Sequence, residues 1–145
     1  VYPEPTSPKL LDVRPVLKLK SHVSFHKSIP SGFSVSYGAT WTAKKRSEIS
    51  TIPLGYGDGY LRHFSNIGEV LIGGKRRSIV GRICMDQFMV SCENESNKIG
   101  EEVVLVGEQK GQCIKIEDLS LWADTIPYEI LTSLGERIPR IYCNN

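Results

Sequence analysis

Glu69-Val70-Leu71-Ile72-Gly73-Gly74-Lys75-Arg76-Arg77-Ser78-Ile79-Val80 holds two apolar runs around a glycine pair. Glycine tolerates positive φ at both central positions of a two-residue turn, so the stretch reads as a hairpin. Its strands are Glu69 to Ile72 and Ser78 to Val80. Moving outward, Gln87 to Ser91, Glu102 to Val106 and Ile49 to Leu54 carry similar short runs. Phe33-Ser34-Val35-Ser36-Tyr37 alternates strictly and ends at Gly38, and strand character begins at Val16. Short strands at this spacing predict a mainly β domain with a barrel-like arrangement. The period changes only near Glu117, where acidic residues suit the first turn of a helix running to Ala123. Thr125 then reads as the N-cap of a second short helix, with Pro127 just inside it and an end near Leu134. Ile138 to Tyr142 reads as a closing edge strand, where Pro139 is tolerable.

The chain has 145 residues, 40% of them hydrophobic, enough for one domain with a single core. A net charge of +2 is too mild for a nucleic-acid or anionic-membrane partner. The triplets Lys44-Lys45-Arg46 and Lys75-Arg76-Arg77 read as solvated loops or turns. No apolar stretch approaches the ~18 residues of a membrane span, and no segment has signal-peptide anatomy. Cys84, Cys92, Cys113 and Cys143 are irregularly spaced without a C-x-x-C pair, which predicts a reducing, cytoplasmic setting. Residues 1 to 15 contain four prolines and read as a linker or entry segment ahead of a domain over 16–145. The first residue is valine, which predicts a piece of something longer.

Gly68 to Lys75 superficially matches a phosphate-binding loop, but Gly74 stands where the lysine belongs and the middle is a strand. Gly55-x-Gly57-x-Gly59 lacks the following helix that a dinucleotide fingerprint needs. His22 and His26 would share a strand face, but they lack a third ligand, and a solvent-facing pair is the plainer reading. No metal site is expected. What remains is Val35-Ser36-Tyr37-Gly38-Ala39-Thr40, Gly55-Tyr56-Gly57-Asp58-Gly59-Tyr60-Leu61-Arg62 and Gly81-Arg82-Ile83-Cys84-Met85-Asp86. They offer phenols, guanidinium groups and carboxylates where glycine permits sharp turns. From its position alone Tyr37 fits either a strand aromatic packed on the core or a hydroxyl at the rim. Arg82, Cys84 and Asp86 would share one face of a strand, and a buried Arg–Asp pair would explain the two charges.

Together the blocks resemble the C-terminal domain of bacterial alanine racemases, the pyridoxal-phosphate enzymes that interconvert L- and D-alanine. The resemblance runs from about Pro15 to Tyr142. It includes Pro53-Leu54-Gly55-Tyr56-Gly57-Asp58-Gly59, Val80 to Gln87, Thr125-Ile126-Pro127-Tyr128-Glu129-Ile130 and Arg137 to Tyr142. Pro127 replaces a polar residue of the family, and Trp41 and Tyr60 stand where the family varies its aromatic. The family joins an N-terminal cofactor-bearing (β/α)8 barrel to a β domain. Such a barrel needs about 250 residues, so this chain is expected to lack it.

The resemblance implies a two-base inversion in which the cofactor is the electron sink for a Cα carbanion. A barrel lysine serves one face. Tyr37 serves the other, as base toward L-alanine in the partner subunit's site, which implies a homodimer. A free phenol ionises near pH 10, so such a tyrosine needs a helper, which the resemblance implies comes from outside this domain. Tyr56 and Met85 would contact or confine substrate. Arg62, Arg82, Asp86 and Ile126 would line the entry corridor, and Tyr128 would bond the cofactor phosphate. The implied product, D-alanine, feeds peptidoglycan, and the fragment alone is expected to be inactive. Two other readings stay open: a serine/alanine or broad-specificity racemase domain, and a free-standing β-barrel module binding oligonucleotides through exposed aromatics.

Overall fold

The computed structural model describes residues 15–93 and 95–143, so the proline-rich entry segment lies, apart from Pro15, outside the described residues. Ten strands precede two helices. The strands are β1 (Leu19–His22), β2 (Phe25–Ile29), β3 (Ser34–Val35), β4 (Trp41–Thr42), β5 (Ser47–Ile52), β6 (Glu69–Ile72), β7 (Lys75–Val80), β8 (Phe88–Ser91), β9 (Glu102–Gln109) and β10 (Gln112–Ile114). The helices are α1 (Ile116–Ala123) and α2 (Pro127–Ser133). Three single 3-10 turns cover Tyr37–Ala39, Tyr56–Asp58 and Arg62–Phe64.

The main sheet is antiparallel throughout, in the order β1-β9-β6-β7-β8-β5-β2, with β10 added on β9. The glycine pair makes the expected hairpin: Ile72 faces Lys75, and Gly73 and Gly74 have φ of 63° and 83°. The mainly β class with two late helices is as the sequence predicts, but the barrel is not closed. β1 and β2 end the strand path without pairing to each other. Among the described residues their link runs across the gap, Val23 N–H donating to Glu101 O and Ser24 N–H to Thr51 O.

β9 carries Val103-Val104-Leu105-Val106 fully inside, as expected of a strand covered on both faces. With Ile52, Phe64, Leu71, Ile79, Phe88, Leu119 and Ile130 they form the main core. A smaller cluster of Ile29, Val35, Ala43, Ile49 and Val80 underlies the β3–β4 hairpin. Arg77, expected in a solvated triplet, is buried because alternation along β7 turns it inward, where it pairs with Glu95. Ile138 to Tyr142 forms no strand; Pro139 lacks a donor, and Ile141 and Tyr142 stand exposed. Thr125 is not the cap of α2: Ile126 occupies that position, Pro127 begins the helix, and the Thr125 hydroxyl bonds the Glu129 carboxylate.

Tyr60 is 1% exposed, stacked on Phe88 and tilted against Phe64, and its hydroxyl finds no partner among the described residues. Burial pushes its pKa far above the ordinary tyrosine value. Tyr60→Phe keeps the stacking and removes an unsatisfied buried oxygen. It should raise unfolding free energy by about 1 kcal/mol. The check is a higher urea midpoint at unchanged slope; a lower midpoint would show that the hydroxyl is bonded in solution.

Candidate functional site

The three glycine blocks fold into loops gathered beside the β7–β8 connection. Tyr37 opens a 3-10 turn after β3 and is 73% exposed, so it projects from the surface rather than packing on the core. Residues 81–87, where a strand would put Arg82, Cys84 and Asp86 on one face, form a loop instead. Gly81 turns there with φ 76°, and a Cβ on it would sit 2.6 Å from Val35 O. The loop's carbonyls are taken by the block at 55–60: Tyr56 N–H donates to Cys84 O (3.1 Å) and Gly57 N–H to Met85 O (2.8 Å). A Cβ on Gly55 would lie 2.3 Å from Cys84 O and 2.4 Å from Met85 O, so only glycine allows this approach. The Met85 amide N–H makes no hydrogen bond among the described residues, and its side chain is 51% exposed.

Charge fixes this arrangement. Asp58 accepts the Gly55 N–H at 2.9 Å and lies 3.2 Å from Arg137 Nε. Arg137 Nη2 donates to Asp86 Oδ1 at 2.6 Å. The Asp86 carboxylate, helped by Asp58, therefore raises the Arg137 pKa above its ordinary value. Asp86 thus pairs with Arg137, not with Arg82 in a buried pair as the spacing suggested. Arg82 is exposed, and its guanidinium lies against Gly38.

Ser65 and Asn66 were not legible as site residues, yet they join the blocks. Ser65 Oγ accepts from Ile83 N–H (3.0 Å), Asn66 Oδ1 from Gly81 N–H (2.7 Å), and Asn66 Nδ2 donates to Thr40 Oγ1 (3.1 Å). Both follow the turn bearing Arg62, which is exposed. Tyr56 is exposed beside the same loop. Ile126 and Tyr128, at the start of α2, are exposed as well. Among the described residues no hydrogen bond joins either to Tyr37; α2 is tied to the cluster at its far end, through Ser133 Oγ to Gly59 O and Gly135 N–H to Asp58 O.

The histidines are not a solvent-facing pair. His22 lies on β1, whereas His26 on β2 is partly buried between Ser50 Oγ (2.9 Å) and Glu48 Oε2 (3.0 Å). Among the described residues no three His, Cys, Asp or Glu side chains gather as a metal site. All four cysteines are free, and burial raises the Cys92 thiol pKa.

Residues 16–142 match the family model described as alanine racemase, C-terminal domain. The chain is 48% identical to the alanine racemase of Carboxydothermus hydrogenoformans, over 97% of this chain and 39% of that protein. Crystallised alanine racemase from D-cycloserine-producing Streptomyces lavendulae superposes with a TM-score of 0.93 at 37% identity, over 100% of this chain and 38% of the other. The Bartonella henselae alanine racemase, solved with covalently bound pyridoxal phosphate, gives 0.80 at 36% identity, over 87% of this chain and 34% of that one. The chain thus spans less than two fifths of the length of these relatives. It belongs to the alanine racemase family, and the part of that family it represents is the C-terminal domain.

Proposed function

We propose that this domain supplies the L-alanine-facing half of an alanine racemase site, with Tyr37 as the acid/base group on that face. The observation that carries the reading is the outward-facing Tyr37 on a turn held by the Arg82 loop. The same loop presents the unbonded Met85 amide. The donor set fits pyridoxal phosphate as a contributor rather than a carrier. It offers exposed phenols at Tyr37, Tyr56 and Tyr128, guanidinium groups and a free amide, but no lysine among these residues. Tyr128 would donate to the phosphate, and the lysine would come from an N-terminal barrel. When bound, the cofactor supplies an electron sink that makes the Cα proton removable.

The remaining work is done by this chain. The Met85 amide would hold the substrate carboxylate, and Tyr56 would narrow the space beside it. Arg62 and Arg82 would draw the anionic end of an amino acid inward, with Asp86 and Ile126 completing the corridor. Tyr37 Oη would take the proton from L-alanine and return one when the reaction runs from D-alanine. In this reading the domain completes the site of a partner subunit in a cytoplasmic homodimer, supplying D-alanine for peptidoglycan. Among the described residues no helix is long and apolar enough to cross a membrane.

The test uses the chain as it stands. Mixed with pyridoxal phosphate, it should show neither the absorption band of lysine-bound cofactor nor racemisation of L-alanine. Turnover by this chain alone would sink the reading.

A further inference from the structure

Ser36 has φ 67° and ψ 179°, a combination that is almost exclusively glycine's. It immediately precedes Tyr37. A serine persists there only when its surroundings over-determine it, and two groups do so. Its Oγ donates to Arg82 O at 2.6 Å, with Cys84 Sγ 3.6 Å away. Gly81 packs so closely that a Cβ on it would lie 2.7 Å from Ser36 Cβ. On the other side of Tyr37, the Arg82 guanidinium covers Gly38, with Nη1 3.2 Å from where a Cβ would stand. One residue therefore grips both neighbours of Tyr37, with its carbonyl on one side and its side chain on the other.

The geometry points to Ser36 as a positioning residue for proton transfer at Tyr37, an inference that rests on the proposed role of that tyrosine. The clasp holds the backbone in a conformation it would otherwise leave, and so fixes where the exposed phenol points. Ser36 itself touches neither substrate nor cofactor. Its hydroxyl acts through the Arg82 carbonyl, and the strain is offset by that bond and by the close fit at Gly81.

Two substitutions separate the hydroxyl from the strain. Ser36→Ala removes the bond and keeps the Cβ in the unfavourable region. Ser36→Gly removes the bond and the strain together, so it folds even if the alanine variant does not. Both are made in the complete holoenzyme containing this domain, with Tyr37→Phe alongside. The readouts are thermal midpoint and loss of Cα deuterium to solvent from L- and from D-alanine.

Exchange from L-alanine should fall about 10²-fold in both variants, as a displaced proton-transfer group requires. Exchange from D-alanine, begun on the opposite face, should stay within about twofold. The glycine variant should melt about 2 °C or more above the alanine variant, because it alone escapes the strain. An alanine variant too unstable to purify beside a folded glycine variant supports the same order. Three results would overturn the inference: L-alanine exchange preserved in either variant, equal losses for both enantiomers, or a glycine variant no more stable than alanine. If Tyr37→Phe itself leaves L-alanine exchange intact, the role of Tyr37 fails first. If it abolishes that exchange while the Ser36 variants do not, only the clasp fails.

Discussion

Tyr37→Phe, placed in the complete enzyme, should slow removal of the Cα proton from L-alanine by about 10³-fold or more while cofactor binding is retained. The phenol is 73% exposed and makes no hydrogen bond among the described residues, so losing its oxygen leaves no buried group unsatisfied. The turn is held by Ser36, Gly81 and Arg82, none of which bonds the Tyr37 side chain. A large kinetic loss without a shift in melting temperature is therefore expected. The discriminating measurement is exchange of Cα deuterium with solvent. L-Alanine should stop exchanging, while D-alanine, proposed to lose its proton on the opposite face, continues to exchange. Unchanged exchange from L-alanine would falsify the role given to Tyr37.

The largest stability effect is expected at Gly59. Its φ is 93°, and a Cβ there would stand 1.9 Å from the Ser133 carbonyl oxygen and 2.5 Å from its carbon. No rotamer change relieves a clash between two backbones, so α2 would have to move off the Gly55–Gly59 turn. Gly59→Ala should cost about 4 kcal/mol, within the range of substitutions that break a tight packing contact. Gly32→Ala is the control. Its φ is 81°, but nothing lies within 4 Å of its Cβ position, so only backbone strain of about 1 kcal/mol applies. Urea unfolding of both variants measures the gap; equal losses would mean that the Ser133 contact is not rigid.

What the sequence disclosed follows from the range of the forces involved. The Gly73-Gly74 hairpin was legible because a two-residue turn requires positive φ at adjacent positions, and glycine announces this locally. β10 went unread because its turn uses Lys110 at φ 48° beside Gly111, and a lysine gives no such signal. Residues 81–87 hold the apolar triple Ile83-Cys84-Met85, compatible with a strand, but form a loop. Their carbonyls are committed to Tyr56 and Gly57, a pairing that no local pattern reveals.

The open edge between β1 and β2 has the same origin: strand count and spacing do not say whether the ends of a path meet. Within the candidate site, the phenols and guanidinium groups were visible through their motifs and the family resemblance. Ser65, Asn66, the role of Ser36 and the pairing of Arg137 with Asp58 and Asp86 were not. Ser36 acts through its backbone angle, and the others through bonds to groups far along the chain.

Arg137 holds Asp58 and Asp86 together, and it lies 51 residues beyond Asp86. A ribosome delivering this chain releases both carboxylates well before the cation that joins them. The strands between can pair during that interval, and Tyr56 and Gly57 can bond the Cys84 and Met85 carbonyls, but the two carboxylates lack their shared cation until the segment after α2 has emerged. Completion of this Asp58–Arg137–Asp86 cluster is thus a late event in synthesis, timed by one arginine.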